Sequence, residues 1–201
     1  MIEYTILSIS YGNVHSKAKT RPVTVELKLE NAIAVDESGN QSSLYTTTFR
    51  SERKWEAFHR LCARDEVFSI GYETSGVKYK LWDIKSKCWK HTTFIPNFTV
   101  NESETGRVLF MVKAHTLGGA DSVYKYKAVK KSNPSLKLIF YSLHGAIVSS
   151  KNKRPLKDWA KGLGFKGTSQ LKTSYFHNIP LNDMVERREG QVIYLLKKEV
   201  N

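Results

Sequence analysis

The chain has 201 residues, of which 40% are hydrophobic and 11% aromatic, and it carries a formal net charge of +13. This composition excludes an intrinsically disordered chain, because such chains lack the aromatic and β-branched residues that recur throughout this one. The first residues lack a signal-peptide pattern, and no apolar run approaches the roughly 18 residues of a membrane span. The chain has two cysteines, too few for a disulfide framework. The sequence therefore predicts a soluble, cytoplasmic protein with no membrane contact, folded as one domain over 1–201.

The positive charge is concentrated in the middle of the chain. Residues 1–76 carry 9 basic and 10 acidic side chains, residues 77–175 carry 19 and 5, and the tail 176–201 carries 4 of each. The basic part alone thus has a net charge of +14 between two nearly neutral parts. This distribution predicts a directed positive field on one part of the surface and a negatively charged partner.

Runs of β-branched and aromatic residues predict strands in the first half of the chain, near 2–10, 22–35 and 43–50. The polar cluster Asp36–Asn40 predicts a turn between the last two. A helix is predicted to begin after Ser51, a good N-cap residue, with apolar residues at helical spacing along one face. These are Trp55, Phe58, Leu61 and Cys62.

The second half predicts the same order of elements. Strands are expected at 67–72, 77–84, 108–115, 123–129, 136–148 and 192–196. The glycine-containing segment 117–121 predicts a hairpin between 108–115 and 123–129. A short second helix is predicted from Pro155, with Gly164 ending it.

The fold class predicted from this order is α+β: mainly antiparallel sheet, in the order strands, helix, strands, helix, with two short helices. The order is similar to that of whirly-type or OB-like single-strand binders, although no motif of either family matches residue by residue.

Two strands combine lysine with aromatic residues. Because neighbouring side chains of a strand face opposite ways, Lys78, Lys80 and Trp82 share one side of 77–84, and Lys125 and Lys127 share one side of 123–129. For the second strand alone, tyrosines packed in a core with lysines facing water are a sufficient explanation. A tryptophan on the same side as two lysines instead suits single-stranded nucleic acid, which needs cations for phosphates and flat rings for bases.

The leading hypothesis is a non-catalytic protein that binds single-stranded RNA or DNA. Arginine is scarce in the basic part, which favours contact with the backbone over reading of bases. The candidate nucleic-acid-binding residues are Lys78, Lys80, Trp82, Lys125, Lys127, Lys130, Lys131, Lys151, Lys153 and Arg154. The alternative is a basic surface that binds an acidic protein partner, as an inhibitor or assembly factor would.

Two chemical alternatives remain open. His59, Cys62, Cys88 and His91 are a legitimate zinc set by residue type, but their spacing is unusual and Cys62 also completes the apolar helix stripe, so no metal or other cofactor is assigned. A metal-independent ribonuclease could use general acid and base groups that titrate near neutrality. The histidines available for it are His115, His144 and His177.

Overall fold

The computed structural model describes residues 1–14, 20–103, 106–113, 120–143, 155–177, 179–180, 185–187 and 194–198. The chain forms two compact units: unit 1 is Met1–Tyr72 with Glu189–Asn201, and unit 2 is Glu73–Arg188. The predicted α+β class is confirmed, with most strand pairs antiparallel.

Unit 1 contains one helix and two groups of strands, each paired antiparallel, among its described residues. Its elements are β1 (Tyr4–Tyr11), β2 (Val23–Leu29), β3 (Ala32–Val35), β4 (Gln41–Ser42), β5 (Leu44–Phe49), α1 (Glu52–Cys62), β6 (Ser69–Tyr72) and β15 (Tyr194–Lys197). One sheet has the order β1-β2-β5, and the other contains β6-β15-β3-β4. The run predicted as one strand at 22–35 is divided at Asn31, whose side-chain oxygen accepts from the backbone of Glu3 at 2.8 Å. Its two halves therefore enter different sheets.

Helix α1 begins as predicted. The Ser51 side chain accepts a hydrogen bond from the backbone of Lys54, and this N-cap satisfies one of the free amide groups of the first turn. Phe58 packs on Phe49 and Tyr45 at ring distances of 5.1 and 5.9 Å. The helix thereby covers part of the sheet β1-β2-β5.

Unit 2 contains three strands paired in parallel, which the sequence analysis did not predict. Its elements are β7 (Ser75–Asp83), β8 (Cys88–Phe94), β9 (Phe98–Val100), β10 (Gly106–Val112), α2 (Ala120–Ser132), β11 (Leu138–Tyr141), α3 (Leu156–Gly162), β12 (Lys166–Thr168), β13 (Ile179–Pro180) and β14 (Val185–Arg187). β10, β11 and β12 pair in parallel in chain order, β9 and β13 pair antiparallel with β10, and β14-β7-β8 forms a second, antiparallel sheet.

The predicted strand 123–129 and its hairpin are wrong, because these residues belong to helix α2. Parallel strands cannot be joined by a tight hairpin, so β10 and β11 need a crossover, which the helix provides. Tyr126 and Val129 are buried three positions apart, as on one helix face, whereas Tyr124 is 46% exposed. Tyr124 and Tyr126 therefore do not share a side, and neither do Lys125 and Lys127.

Helix α3 ends as predicted at Gly164. This residue has φ +78°, and the backbone amides of Gly164 and Phe165 donate to Lys161 and Ala160 in a Schellman arrangement. Gly167 on β12 has a different role, because a β-carbon there would lie 2.6 Å from the carbonyl oxygen of Leu156. Its lack of a side chain lets α3 approach the strand closely.

One aromatic-rich core lies inside unit 2. It buries the inner face of β7, Phe94 at the end of β8, one face of α2, the sheet residues of β11, and α3. The core residues are Val77, Tyr79, Phe94, Leu109, Tyr126, Val129, Leu136, Leu138, Phe140, Leu156, Trp159, Ala160, Leu163 and Phe165. The packing of β7 on this core fixes which of its side chains point outward.

Candidate functional site

The two units differ completely in charge. Unit 1 carries 11 basic and 11 acidic side chains, whereas unit 2 carries 21 and 8, so unit 2 alone accounts for the net charge of +13. Of the 21 basic residues, 17 are lysine. Any attraction of a polyanion by net charge therefore comes from unit 2.

The hairpin of β7 and β8 presents lysine and tryptophan on its outer face. Val77 and Tyr79 are buried in the core, while Lys80 and Trp82 are exposed and Lys78 is half-buried, so β7 has the alternation predicted for it. The outer face of β7 is consequently both basic and aromatic.

Trp82 has a second indole beside it. The strand register sets Trp82 opposite Trp89 on β8, with ring centroids 5.5 Å apart and planes at 68°. The side chains are 37% and 57% exposed, respectively. The sequence analysis did not select Trp89, because the pairing of Trp89 with Trp82 depends on the register of the hairpin. The polar turn between Asp83 and Cys88 was the sequence signal that could have indicated this hairpin. The pair forms an aromatic platform with Trp89 as its more accessible ring.

The end of α2 completes a groove along this face. The backbone amide of Lys80 donates to the Ser132 hydroxyl at 3.0 Å, and the Asn133 side chain donates to the carbonyl of Lys78 at 2.9 Å. These bonds fix the helix end against the edge of β7 that faces away from β8. The groove has a volume of about 660 Å³, and its described lining consists of Lys78, Tyr79, Lys80, Trp89, His91, Lys131, Ser132, Asn133, Pro134 and Ser135.

The groove is cationic by composition. Its described lining holds three lysines and a histidine but no carboxylate, and His91 lies directly opposite Lys80 in the hairpin register. Lys80 and Lys131 are both exposed. The arrangement offers positive charge and indole surface within one groove.

The other predicted lysines of α2 are placed differently. The Lys125 ammonium lies 5.3 Å from the centre of the Phe94 ring, and burial lowers its pKa. Lys130 donates to the carbonyls of Pro134 and Leu136 at 2.6 and 2.8 Å, which holds the loop after α2. Lys127 is exposed. Lys151, Lys153 and Arg154 lie outside the described residues.

A second basic cavity adjoins the same loop. It has a volume of about 400 Å³. In the segment 133–137, residues 133–135 line the groove and residues 136 and 137 line this second cavity. Its described lining includes Lys130, Lys137, Lys166, Tyr175 and His177, again without a carboxylate. The loop between α2 and β11 thus separates two cationic cavities.

One lysine of the hairpin is neutralised by an ion pair. The Lys90 ammonium donates to the Asp83 carboxylate, and chiefly through this contact the pKa of Asp83 falls to about 2 while the pKa of Lys90 rises. Lys85 and Lys87, at the tip of the hairpin, are exposed.

The four residues considered as zinc ligands belong to different units. His59 shares a hydrogen bond of 2.7 Å with the Tyr4 hydroxyl and Cys62 is buried, both in unit 1, while Cys88 and His91 lie on β8 in unit 2. Among the described residues, no group of three or more His, Cys, Asp or Glu side chains could hold a metal ion. Of the ribonuclease histidines, His177 is exposed at the second cavity. His115 and His144 lie outside the described residues.

The two cysteines should differ in reactivity. Burial raises the pKa of the Cys62 thiol, and the thiolate is the reactive form, whereas Cys88 is exposed. We expect a thiol reagent such as Ellman's reagent to modify Cys88 alone in the native protein, and both cysteines in denaturant. A Cys88→Ser variant should then show no fast reaction; rapid native labelling of that variant would contradict the burial of Cys62.

Models of known protein families, curated proteins and solved structures were compared with this chain, and none of them matches it. The whirly-like or OB-like arrangement therefore stays a prediction. In the described part of the chain, no helix is long and apolar enough to cross a membrane.

Proposed function

We propose that this protein is a non-catalytic nucleic-acid-binding protein that prefers single-stranded RNA or DNA, bound in the groove between the β7-β8 hairpin and the end of α2. The observation that carries the proposal is the exposed Trp82 and Trp89 pair beside the lysines of that groove. Single strands offer unpaired bases to aromatic rings and phosphates to cations, so a surface that supplies both suits them. A duplex buries its bases in the stack and would leave the indoles without a partner.

The composition of unit 2 supports backbone tracking. Lysine is a compact point charge, whereas arginine has the planar fork suited to hydrogen bonding with guanine, and lysine predominates here. The second cavity supplies further lysines across the loop 133–137, so a strand longer than the groove would continue over cationic surface. We therefore propose weak sequence preference and marked dependence on salt.

The first experiment is a fluorescence-anisotropy panel of labelled single-stranded DNA, single-stranded RNA and the matching duplexes, using protein freed of nucleic acid by a high-salt wash. We expect the single strands to bind more tightly than the duplexes. Equal affinity would contradict the preference for single strands. Absence of binding to every probe would contradict the proposal and favour the alternative of an acidic protein partner.

Replacing either tryptophan separates stacking from charge. We expect Trp89→Ala and Trp82→Ala each to weaken single-strand binding by about 1–3 kcal/mol, because each removes a ring available for stacking. The dependence of affinity on salt should stay unchanged, since no phosphate contact is lost. Trp89→Phe is the matched control and should retain most of the affinity; circular dichroism checks that each variant is folded.

A further inference from the structure

Strand β1 of unit 1 is an exposed edge. Among the described residues it pairs with β2 alone, which makes it the end strand of the sheet β1-β2-β5. From Thr5 to Tyr11 every side chain is exposed, and Ile6, Leu7 and Ile9 are among them. A row of backbone amide and carbonyl groups is thereby open to pairing with another strand.

An irregularity in β1 collects its apolar side chains on one face. The register with β2 sets Ile6 opposite Leu27 and Ile9 opposite Val25, with a shift between Ile6 and Ser8 that leaves Leu7 as the extra residue. Because Val25 and Leu27 are fully buried, Ile6 and Ile9 lie on the core side of the sheet. The apolar face of the sheet therefore continues outward beyond the part that is covered.

The strand has little of the protection that natural edge strands usually carry. Edge strands are commonly short, or carry charged residues or proline that prevent pairing with other chains. β1 is eight residues long, contains no charged residue and no proline, and has only the irregularity at Leu7. Such an edge is suited to strand addition.

The sequence of β1 identifies a second copy of the same strand as its fitting partner. Tyr4–Tyr11 reads Tyr-Thr-Ile-Leu-Ser-Ile-Ser-Tyr, which is nearly the same in reverse. A two-fold axis between Leu7 and Ser8 would set Tyr4 opposite Tyr11, Thr5 opposite Ser10 and Ile6 opposite Ile9 of the other copy. Each of these three pairs joins residues of the same face, as antiparallel pairing requires.

The charge of unit 1 favours the same partner. The unit has no net charge, so two copies of it do not repel each other as two strongly basic surfaces would. β1 itself carries no charged side chain, and the charges beside it are mixed: Arg21 lies over the Tyr11 ring, while Glu30 and Glu26 accept hydrogen bonds from Thr5 and Ser8. This mixture suits neither a polyanion nor a strongly charged peptide. We propose that β1 pairs with β1 of a second copy, joining two three-stranded sheets into one antiparallel sheet of six strands and making the protein a homodimer.

The oligomeric state tests this proposal. We expect the protein to have the mass of a dimer by size-exclusion chromatography with light scattering, after a high-salt wash that removes any bridging nucleic acid. Ile9→Lys should give a monomer, because it places a charge in the interface. Leu44→Lys is the matched control: Leu44 is 47% exposed against 39% for Ile9, but lies on β5 at the opposite edge of the sheet, so the dimer should persist.

A cross-linking experiment tests the register. In a Cys88→Ser background, Thr5→Cys with Ser10→Cys should give a disulfide-linked dimer on oxidation, because directly opposed residues bring their β-carbons to about 4.5–5.5 Å. Thr5→Cys alone is the control, since the two copies of residue 5 would lie about five residues, or roughly 17 Å, apart along the strands. A monomeric wild-type protein, a dimeric Ile9→Lys variant or equal cross-linking of the control would overturn the proposal.

Discussion

Replacing Phe140 with alanine is expected to lower the free energy of unfolding by about 3–5 kcal/mol. Phe140 is fully buried on β11, and its ring lies 4.9, 5.1 and 5.7 Å from the rings of Tyr126, Trp159 and Phe165. These neighbours come from α2, α3 and the segment that follows it, so collapse around the missing ring would have to move several elements at once. The change is measured by denaturant unfolding followed by circular dichroism.

Two tyrosine variants provide the matched controls. Tyr124→Ala removes a ring that is 46% exposed and should change the stability by no more than about 0.5 kcal/mol, as surface substitutions usually do. Tyr126→Ala removes a ring buried against Phe94 and Phe140 and should cost several times more. A strand would place both tyrosines on one side and give similar costs, so equal effects would contradict the helical assignment of α2.

Removing two lysines from the groove is expected to change the salt dependence of single-strand binding. With Lys80→Gln and Lys131→Gln combined, the slope of log affinity against log salt should become shallower by about 1.4, since each lost phosphate contact contributes roughly 0.7 for single strands. The affinity at low salt should fall, while the stacking contribution of the indoles remains. Anisotropy titrations over a series of salt concentrations measure both quantities.

The control has the same change of charge outside the groove. Lys161→Gln with Lys172→Gln also removes two positive charges from unit 2, and both side chains are exposed. Neither residue lines either basic cavity. If binding depends on contacts within the groove, this control should keep the wild-type slope; equal changes in both double variants would mean that only the overall charge matters.

Local chemistry made several features predictable from the sequence. Ser51 as N-cap, Asp36 at its turn and Gly164 at the end of α3 each act through bonds to residues a few positions away. The outward face of β7 was predictable as well, because Val77 and Tyr79 alternate with Lys78 and Lys80. In these cases the interactions that determine the structure are made between residues close to each other in the sequence.

Long-range packing decided the features that could not be predicted. Tyr and Val in 123–129 favour a strand by intrinsic preference, but parallel pairing of β10 with β11 requires a crossover, and the helix lets Tyr126 reach Phe140. The role of Trp89 depends on a hairpin register that composition does not specify. The groove formed by β7, β8 and α2 could not be predicted either, because it depends on contacts between residues some 50 positions apart, such as the hydrogen bond between Lys80 and Ser132.

The separation of charge between the units has a consequence for binding strength. The proposed pairing strand lies in the neutral unit and the proposed groove lies in the basic unit. The dimer would therefore carry two grooves, and its interface would not bring two strongly basic units together. A long polyanion held by one groove would meet the second at a high effective concentration. Apparent affinity would then rise steeply once a strand is long enough to reach both, and Ile9→Lys would abolish that bivalent gain while leaving the affinity for short strands intact.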